Sequence, residues 1–308
     1  MISSLALRES QVEPTLRHKN VIETTIPVDD YRQLAQKIDW QAFLKSCCTR
    51  PVSDNSLAHL PFKVLDLACG TGRWLQTFLQ QVAPQLRLPS QIRYDLLDCC
   101  ESSLIQAAQK LRFPLISGMQ YADQVQFAPL EPDAYDCIWS MHGFYAMPKH
   151  DLTGILSKMN AALQPEGRCF IAQATREAFY IDFYERYRAA FGPADSVGFT
   201  AAEDVVAALE RLGIEYHISV LRYDECIPAA DRAAVEHYIM NEATVNSFNR
   251  DDTETVEGAV SQTGLDRLLN HPDIKAYLDT LVWDSTFHFP EEVWAISFKK
   301  ADKGSYPR

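Results

Sequence analysis

Between Phe62 and Val82 the chain reads as an apolar strand, a turn of small residues and an amphipathic helix, and few folds accommodate that succession. Residues 63–67 are predicted to form a buried parallel strand. Trp74-Leu75-Gln76-Thr77-Phe78-Leu79-Gln80-Gln81-Val82 then repeats its apolar positions at helical spacing. The link is Asp66-Leu67-Ala68-Cys69-Gly70-Thr71-Gly72-Arg73, where little side chain stands between backbone and ligand. A second carboxylate, Asp98, closes the next apolar run, Ile92 to Leu97, where a ribose-binding acid belongs in a nucleotide-binding βαβ unit. The third glycine of a dinucleotide fingerprint would fall on Leu75, so that pattern fails, and no P-loop lysine is present.

The Asp-x-Ala-x-Gly-x-Gly wording instead resembles the first motif of class I S-adenosylmethionine-dependent methyltransferases. The resemblance continues along the chain. Leu97-Asp98-Cys99-Cys100-Glu101-Ser102-Ser103-Leu104 resembles the second motif, whose carboxylate takes both ribose hydroxyls. Ala134-Tyr135-Asp136-Cys137-Ile138-Trp139-Ser140 resembles the fourth strand, and Leu163-Gln164-Pro165-Glu166-Gly167-Arg168-Cys169-Phe170-Ile171-Ala172 the turn and strand of the fifth. What this implies is a doubly wound, Rossmann-like α/β fold with a seven-stranded sheet and S-adenosylmethionine as cofactor. The implied cofactor contacts are Asp66, Ala68, Gly70, Thr71, Gly72, Asp98, Cys99 and Ser140, with Asp123 and Gln124 in the loop where the family holds adenine.

A net charge of −12 argues against nucleic acid as the methyl acceptor, because phosphate binding relies on lysine and arginine. A small-molecule acceptor is therefore expected. The first twenty residues are polar, mixed in charge and weakly ordered by composition, without an apolar core to act as a signal or membrane segment. Eight cysteines include the adjacent pairs Cys47-Cys48 and Cys99-Cys100 but no C-x-x-C, and His150, His217, His237 and His271 show no ligand spacing. Reduced thiols, no metal and a cytoplasmic location are the expectation. The oligomeric state is left open.

Four regions follow from the pattern. Residues 1–61 form an N-terminal extension, in which Tyr31, Leu34, Ile38, Phe43 and Leu44 suggest a helix or helix pair serving as a lid, and Pro51 to Ala58 a turn-rich link. Residues 62–227 carry the α/β core, with helices Ser103–Leu111, Asp151–Leu163 and Ala201–Leu212 and a strand His217–Tyr223. Residues 228–282 read as an inserted helical cap, with helices Ala229–Ser247 and Gly258–Leu281 on either side of the acidic stretch Arg250 to Glu254. Residues 283–308 supply the final strands, Thr286–Phe289 and Val293–Lys299, and the tail.

Methyl transfer from a sulfonium demands mainly positioning and exclusion of water, so an aromatic-walled site with one or two polar anchors is expected. Ser140-Met141-His142-Gly143-Phe144-Tyr145 puts a histidine and two aromatics at the carboxyl end of the sheet. Tyr180, Tyr184 and Tyr187 follow at i, i+4, i+7 spacing. This combination resembles the histamine N-methyltransferase-like enzymes. The resemblance implies His142 as the polar acceptor contact, in place of an amide, and Tyr180 and Tyr184 as the aromatic pair; apart from the resemblance, His142 is expected to accept a proton during or after transfer. Phe144 and Tyr145 complete the wall and Tyr31 the lid contact. A C-terminal acceptor contact falls on Glu291 or on Asp284, with Glu291 preferred. The activity implied is N-methylation of a small amine or nitrogen heterocycle, rising from about pH 6 to pH 8–9 as His142 or the substrate nitrogen ionises. A C- or O-methyltransferase acting on a metabolite such as an indole stays open, as does a non-catalytic binding protein that keeps the fold.

Overall fold

The structure, a computed structural model, describes residues 28–47, 61–192, 197–244 and 264–301. The expectations for the first twenty residues, for Pro51 to Ala58 and for Arg250 to Glu254 lie outside the described residues.

Alternating apolar strands and amphipathic helices build one mixed sheet. Its first five strands, β1 (Phe62–Leu67), β2 (Ile92–Asp98), β3 (Leu115–Ala122), β4 (Tyr135–Met141) and β5 (Leu163–Ala174), are parallel. β6 (Tyr216–Pro228) and β8 (Thr286–Lys299) pair antiparallel to each other, and β8 also runs antiparallel to β5. The order is β3-β2-β1-β4-β5-β8-β6, with a two-residue strand β7 (Val282–Trp283) hairpinned onto β8 as an eighth member. The doubly wound, Rossmann-like sheet implied by the sequence is therefore present.

Two differences in the last strands have local causes. The expected pair Thr286–Phe289 and Val293–Lys299 is a single strand passing through Pro290. The His288 N–H, two residues earlier, points away from β6 to the Leu281 carbonyl, so the nitrogen of Pro290 faces a side where no strand partner lies and its missing N–H breaks no ladder bond. Asp284 and Ser285 both take left-handed φ, 47° and 56°, as a two-residue hairpin turn requires, which makes Asp284 a turn residue.

Apolar side chains leave both sheet faces. On one face Val64, Tyr94, Trp139 and Phe170 meet α1 (Val28–Lys37), α2 (Trp40–Cys47), α3 (Arg73–Thr77) and α4 (Glu101–Lys110). On the other, Leu65, Ile138 and Ile171 meet α5 (Leu152–Ala162) and α7 (Ala202–Arg211). The helix expected through Val82 passes from α3 into a π-helical turn, Phe78–Val82, and ends at Pro84, which has no N–H to continue it.

The described N-terminal segment is a helix pair, as expected. Trp40 donates its indole N–H to the Leu34 carbonyl (2.9 Å), and its ring packs tilted against Trp74 (4.9 Å) and Phe170 (4.8 Å). At the other end of α1, Asp30 accepts a hydrogen bond from the Tyr223 hydroxyl of β6. A third core forms the cap, where Phe179 and Phe183 of α6 (Phe179–Phe191) pack with α8 (Arg232–Thr244), α9 (Gly264–Leu269), α10 (Pro272–Thr280) and Phe289. No helix of the described residues is long and apolar enough to cross a membrane.

Candidate functional site

The chain reverses sharply where β1 ends. Ala68 (φ 55°), Gly70 (φ 51°) and Gly72 (φ 77°) all take left-handed backbone, and Ala68 carries that strain without glycine's freedom. The turn is stitched to β2: Cys69 N–H donates to the Leu97 carbonyl (3.1 Å) and Gly70 N–H to Asp98 Oδ2 (2.9 Å). The other Asp98 oxygen accepts from Cys100 N–H at the start of α4 (2.9 Å). Asp98 is thus a clamp between two loops, and burial raises its carboxyl above the usual range, the two backbone bonds opposing.

The two glycines do different work. A Cβ built on Gly70 meets nothing within 4 Å, leaving its face open for backbone approach by a ligand. A Cβ on Gly72 lies 2.9 Å from Ala107 Cα and 3.0 Å from Ala107 Cβ, so this glycine lets α4 close against the turn. The close-approach role expected of both belongs to Gly70.

A cavity of about 350 Å³ opens above this turn, lined by Ala68, Gly70, Thr71, Asp98, Cys99, Asp123 and Gln124 among the expected cofactor contacts. Asp123 reaches it because its N–H is tied to the Asp98 carbonyl (3.1 Å). Gly72, Asp66 and Ser140 do not line it. Ser140 is fully buried beneath the β4 turn, where a Cβ on Gly143 would stand 2.4 Å from its Oγ and 2.6 Å from Ala68 Cβ. Asp66 is buried below, accepting from the Tyr94 hydroxyl (2.7 Å), which accepts from the Trp139 indole (3.0 Å).

Burial pushes the Asp66 carboxyl up to about 7, the nearby Asp98 charge adding and the Tyr94 bond opposing. Since the folded state binds this proton more tightly than the unfolded chain, the stabilisation it brings is full below about pH 4 and is lost as pH rises through about 7. Asp66→Asn should therefore flatten stability between pH 4 and 8 relative to the parent, read by urea denaturation across that range. Parallel profiles in the two proteins would contradict it.

Tyr31, His142 and Tyr145 also line the cavity. His142 has φ 55°, keeps its N–H in the ladder to Ala172 (2.8 Å) and is only 1% exposed. Neither ring nitrogen has a hydrogen-bond partner, and Tyr31 packs edge-on at 6.0 Å. Desolvation lowers its pKa to about 4, so the ring is neutral throughout the range in which it was expected to ionise. The expected rise of activity with the ionisation of His142 between pH 6 and 9 is corrected accordingly.

Several expected acceptor contacts lie elsewhere. Phe144 is fully buried in the core between the sheet and α5. Tyr184 stacks on Phe199 at 3.8 Å, Tyr180 tilts against the same ring at 6.1 Å, and Tyr145 meets it edge-on at 5.3 Å. Phe199, unmarked by any sequence motif, is therefore the hub of the aromatic wall, and of the three tyrosines Tyr145 lines the cavity. Tyr187 joins the cap core. Glu291 is buried beside Tyr238, whose hydroxyl donates to it (3.3 Å), and is not a cavity residue. Gln173, at the end of β5, ties the wall together: it accepts from Phe144 N–H (3.3 Å) and donates to Tyr180 Oη (3.2 Å) and the Thr200 carbonyl (3.0 Å). A polar residue closing an apolar strand was its signal, as for Asp66 and Asp98. Arg73, directly after the cradle, also reaches the cavity.

Residues 64–167, about a third of the chain, match the family described as "Methyltransferase domain". A comparison with curated proteins finds no match. Among solved structures, the chain is similar to a candidate methyltransferase of Bacillus halodurans C-125 (15% identity, 80% of this chain and 96% of that one, TM-score 0.48). It is also similar to a SAM-dependent methyltransferase of Leishmania major (13%, 89% and 79%, TM-score 0.41). A third is the geranyl diphosphate C-methyltransferase of Streptomyces coelicolor A3(2), solved with S-adenosyl-L-homocysteine (12%, 85% and 75%, TM-score 0.43).

Residues 64–167 match a methyltransferase domain, and the strand order and the turn gripped by Asp98 form the Rossmann-like frame around it.

Proposed function

We propose that the protein methylates a small amine or nitrogen heterocycle, as the histamine N-methyltransferase-like resemblance implies. The observation that carries this reading is His142, buried against the cavity with both ring nitrogens unpartnered. A buried polar group without a partner costs free energy, on the order of 1–3 kcal/mol, unless a ligand supplies one. As a neutral ring His142 offers one donor and one acceptor, the same pair that an amide offers, so its replacement of the amide in that family is chemically small.

The residues fit the cofactor. Gly70 leaves its backbone face open, Asp98, Cys99, Asp123 and Gln124 surround the space for the nucleoside, and Ala68 and Thr71 the space nearer the turn. S-adenosylmethionine supplies a methyl group already activated by a sulfonium charge. The chain's own part is to orient the acceptor through His142, wall it with Tyr31 and Tyr145, and keep water out. Cation–π attraction from these rings, about 0.5–2 kcal/mol each, suits positive charge in this space. In this reading α1 and α2 act as the lid, α8, α9 and α10 as the cap, and β7 and β8 as the final strands of the sheet. Tyr180 and Tyr184 back the wall through Phe199. The seven described cysteines are free, which fits a reducing cytoplasm.

The test is methyl transfer from labelled S-adenosylmethionine to amines, azoles, phenols, carboxylic acids and indoles under identical conditions, products read by mass spectrometry. N-methyl products are expected. Turnover confined to phenols or carboxylates would overturn the reading, and methylation at an indole carbon would favour C-methylation instead.

A further inference from the structure

β3 and β6 are the two outer strands of the sheet, and they differ in how they are protected. An outer strand invites association unless charge, proline or a covering element blunts it. β6 carries Arg222, Asp224, Glu225 and Pro228, and Lys37 of α1 donates to its Arg222 carbonyl (3.1 Å). β3, Leu115-Ile116-Ser117-Gly118-Met119-Gln120-Tyr121-Ala122, has no charged residue and no proline. Of the eight large apolar side chains exposed among the described residues, four lie on β3 or within five residues of its ends. They are Phe113 (77%), Ile116 (37%), Met119 (49%) and Phe127 (69%).

The outer side of β3 does not offer a continuous ladder. Gly118 and Met119 together stand opposite Asp95, whose Oδ1 accepts the Met119 N–H (2.9 Å), so the strand bulges and that N–H turns inward. Contact through this face must therefore be made by side chains. The neutral run is bracketed by Arg112 before it and Asp123 after it. Laid antiparallel about a two-fold axis, two copies bring the positive end of each beside the negative end of the other, and the same alignment sets Ile116 beside the partner's Met119. A chain of net charge −12 repels its own copy over most of its surface, and a neutral patch with opposite charges at its ends is where a copy can approach. We infer that the β3 face joins two copies of this chain in a two-fold dimer, with Phe113, Ile116, Met119 and Phe127 as its apolar contact. The end charges set the alignment more than they add affinity.

Sedimentation of the full chain between about 1 and 100 μM should show a reversible shift from the chain mass to twice that mass. Over the same range, amide hydrogen exchange should slow with concentration at residues 115–122 and stay level at 216–228. Met119→Lys places an unpaired ammonium in the apolar contact and should raise the dissociation constant by about tenfold or more. Phe113→Ser, at the most exposed of the four positions, removes apolar contact without adding charge and should weaken the dimer in the same direction. Thermal melts matching the parent's establish that a variant is folded, and the exchange measurement needs no variant at all. A parent that stays monomeric at about 100 μM, a dimer that survives both substitutions, or slowing at 216–228 instead would overturn the inference. Flotation with vesicles of neutral or anionic phospholipid checks the other occupant: monomeric protein that floats with them would give the face to a lipid surface and overturn the dimer.

Discussion

Replacing Asp98 with alanine should weaken binding of S-adenosylmethionine and its demethylated product by about 10²-fold while leaving the protein folded. The carboxylate accepts from Gly70 N–H and from Cys100 N–H, both at 2.9 Å, and so sets the spacing of the two loops that line the cavity. Hydrogen bonds to a charged group contribute about 1.5–3 kcal/mol each, and loss of the clamp releases the loop that carries Gly70. Burial already holds this carboxyl above its ordinary range, so a ligand that donates hydroxyl hydrogens to it is favoured over the empty site. Asp98→Asn, which keeps an acceptor but loses the charge, should fall between parent and alanine. Calorimetry with S-adenosylhomocysteine reads the series, with circular dichroism as the control for folding. An unchanged affinity in folded Asp98→Ala would remove this residue from the site.

Gly72→Val should cost roughly 2–5 kcal/mol of stability. About 1–2 kcal/mol comes from forcing a side chain into left-handed backbone, and about 1–3 kcal/mol more from overpacking against α4. The obstacle is the backbone of Ala107, with its Cα 2.9 Å from the new Cβ, and a backbone atom in mid-helix cannot rotate away as a flexible side chain would. Gly70→Ala meets no atom within 4 Å, so its cost is confined to the conformational term. The pair should separate cleanly: Gly72→Val melts earlier, whereas Gly70→Ala binds cofactor more weakly because its methyl group stands on the face a ligand approaches. Denaturation and calorimetry on both variants make the comparison. A Gly72→Val protein as stable as the parent would show that α4 does not depend on this contact.

The β1 turn and the acid that grips it were legible in the sequence. An acid closing an apolar strand, a turn of small residues and a helix following it are local patterns, and β1, the turn and Asp98 stand where those patterns placed them. Composition was equally readable, since a net charge of −12 does not depend on the fold. The acceptor half was much less so. The spacing of Tyr180 and Tyr184 put both on one helix face, and they do share one, but that face looks onto Phe199, whose position is set by how the segment after α6 folds back and not by the helix's own spacing.

Local sequence, through periodicity and backbone preference, determined the strand order's building blocks, the cradle turn and the acids at its rim. Tertiary structure decided what spacing cannot encode. It turned Glu291 toward Tyr238, gave Gly72 a partner in Ala107 and left both ring nitrogens of buried His142 without a hydrogen-bond partner among the described residues. The physical reason is that a glycine turn is set by the torsions of its own residues, whereas the protonation of a histidine and the direction of an aromatic wall are set by desolvation and by contacts between segments far apart in the chain.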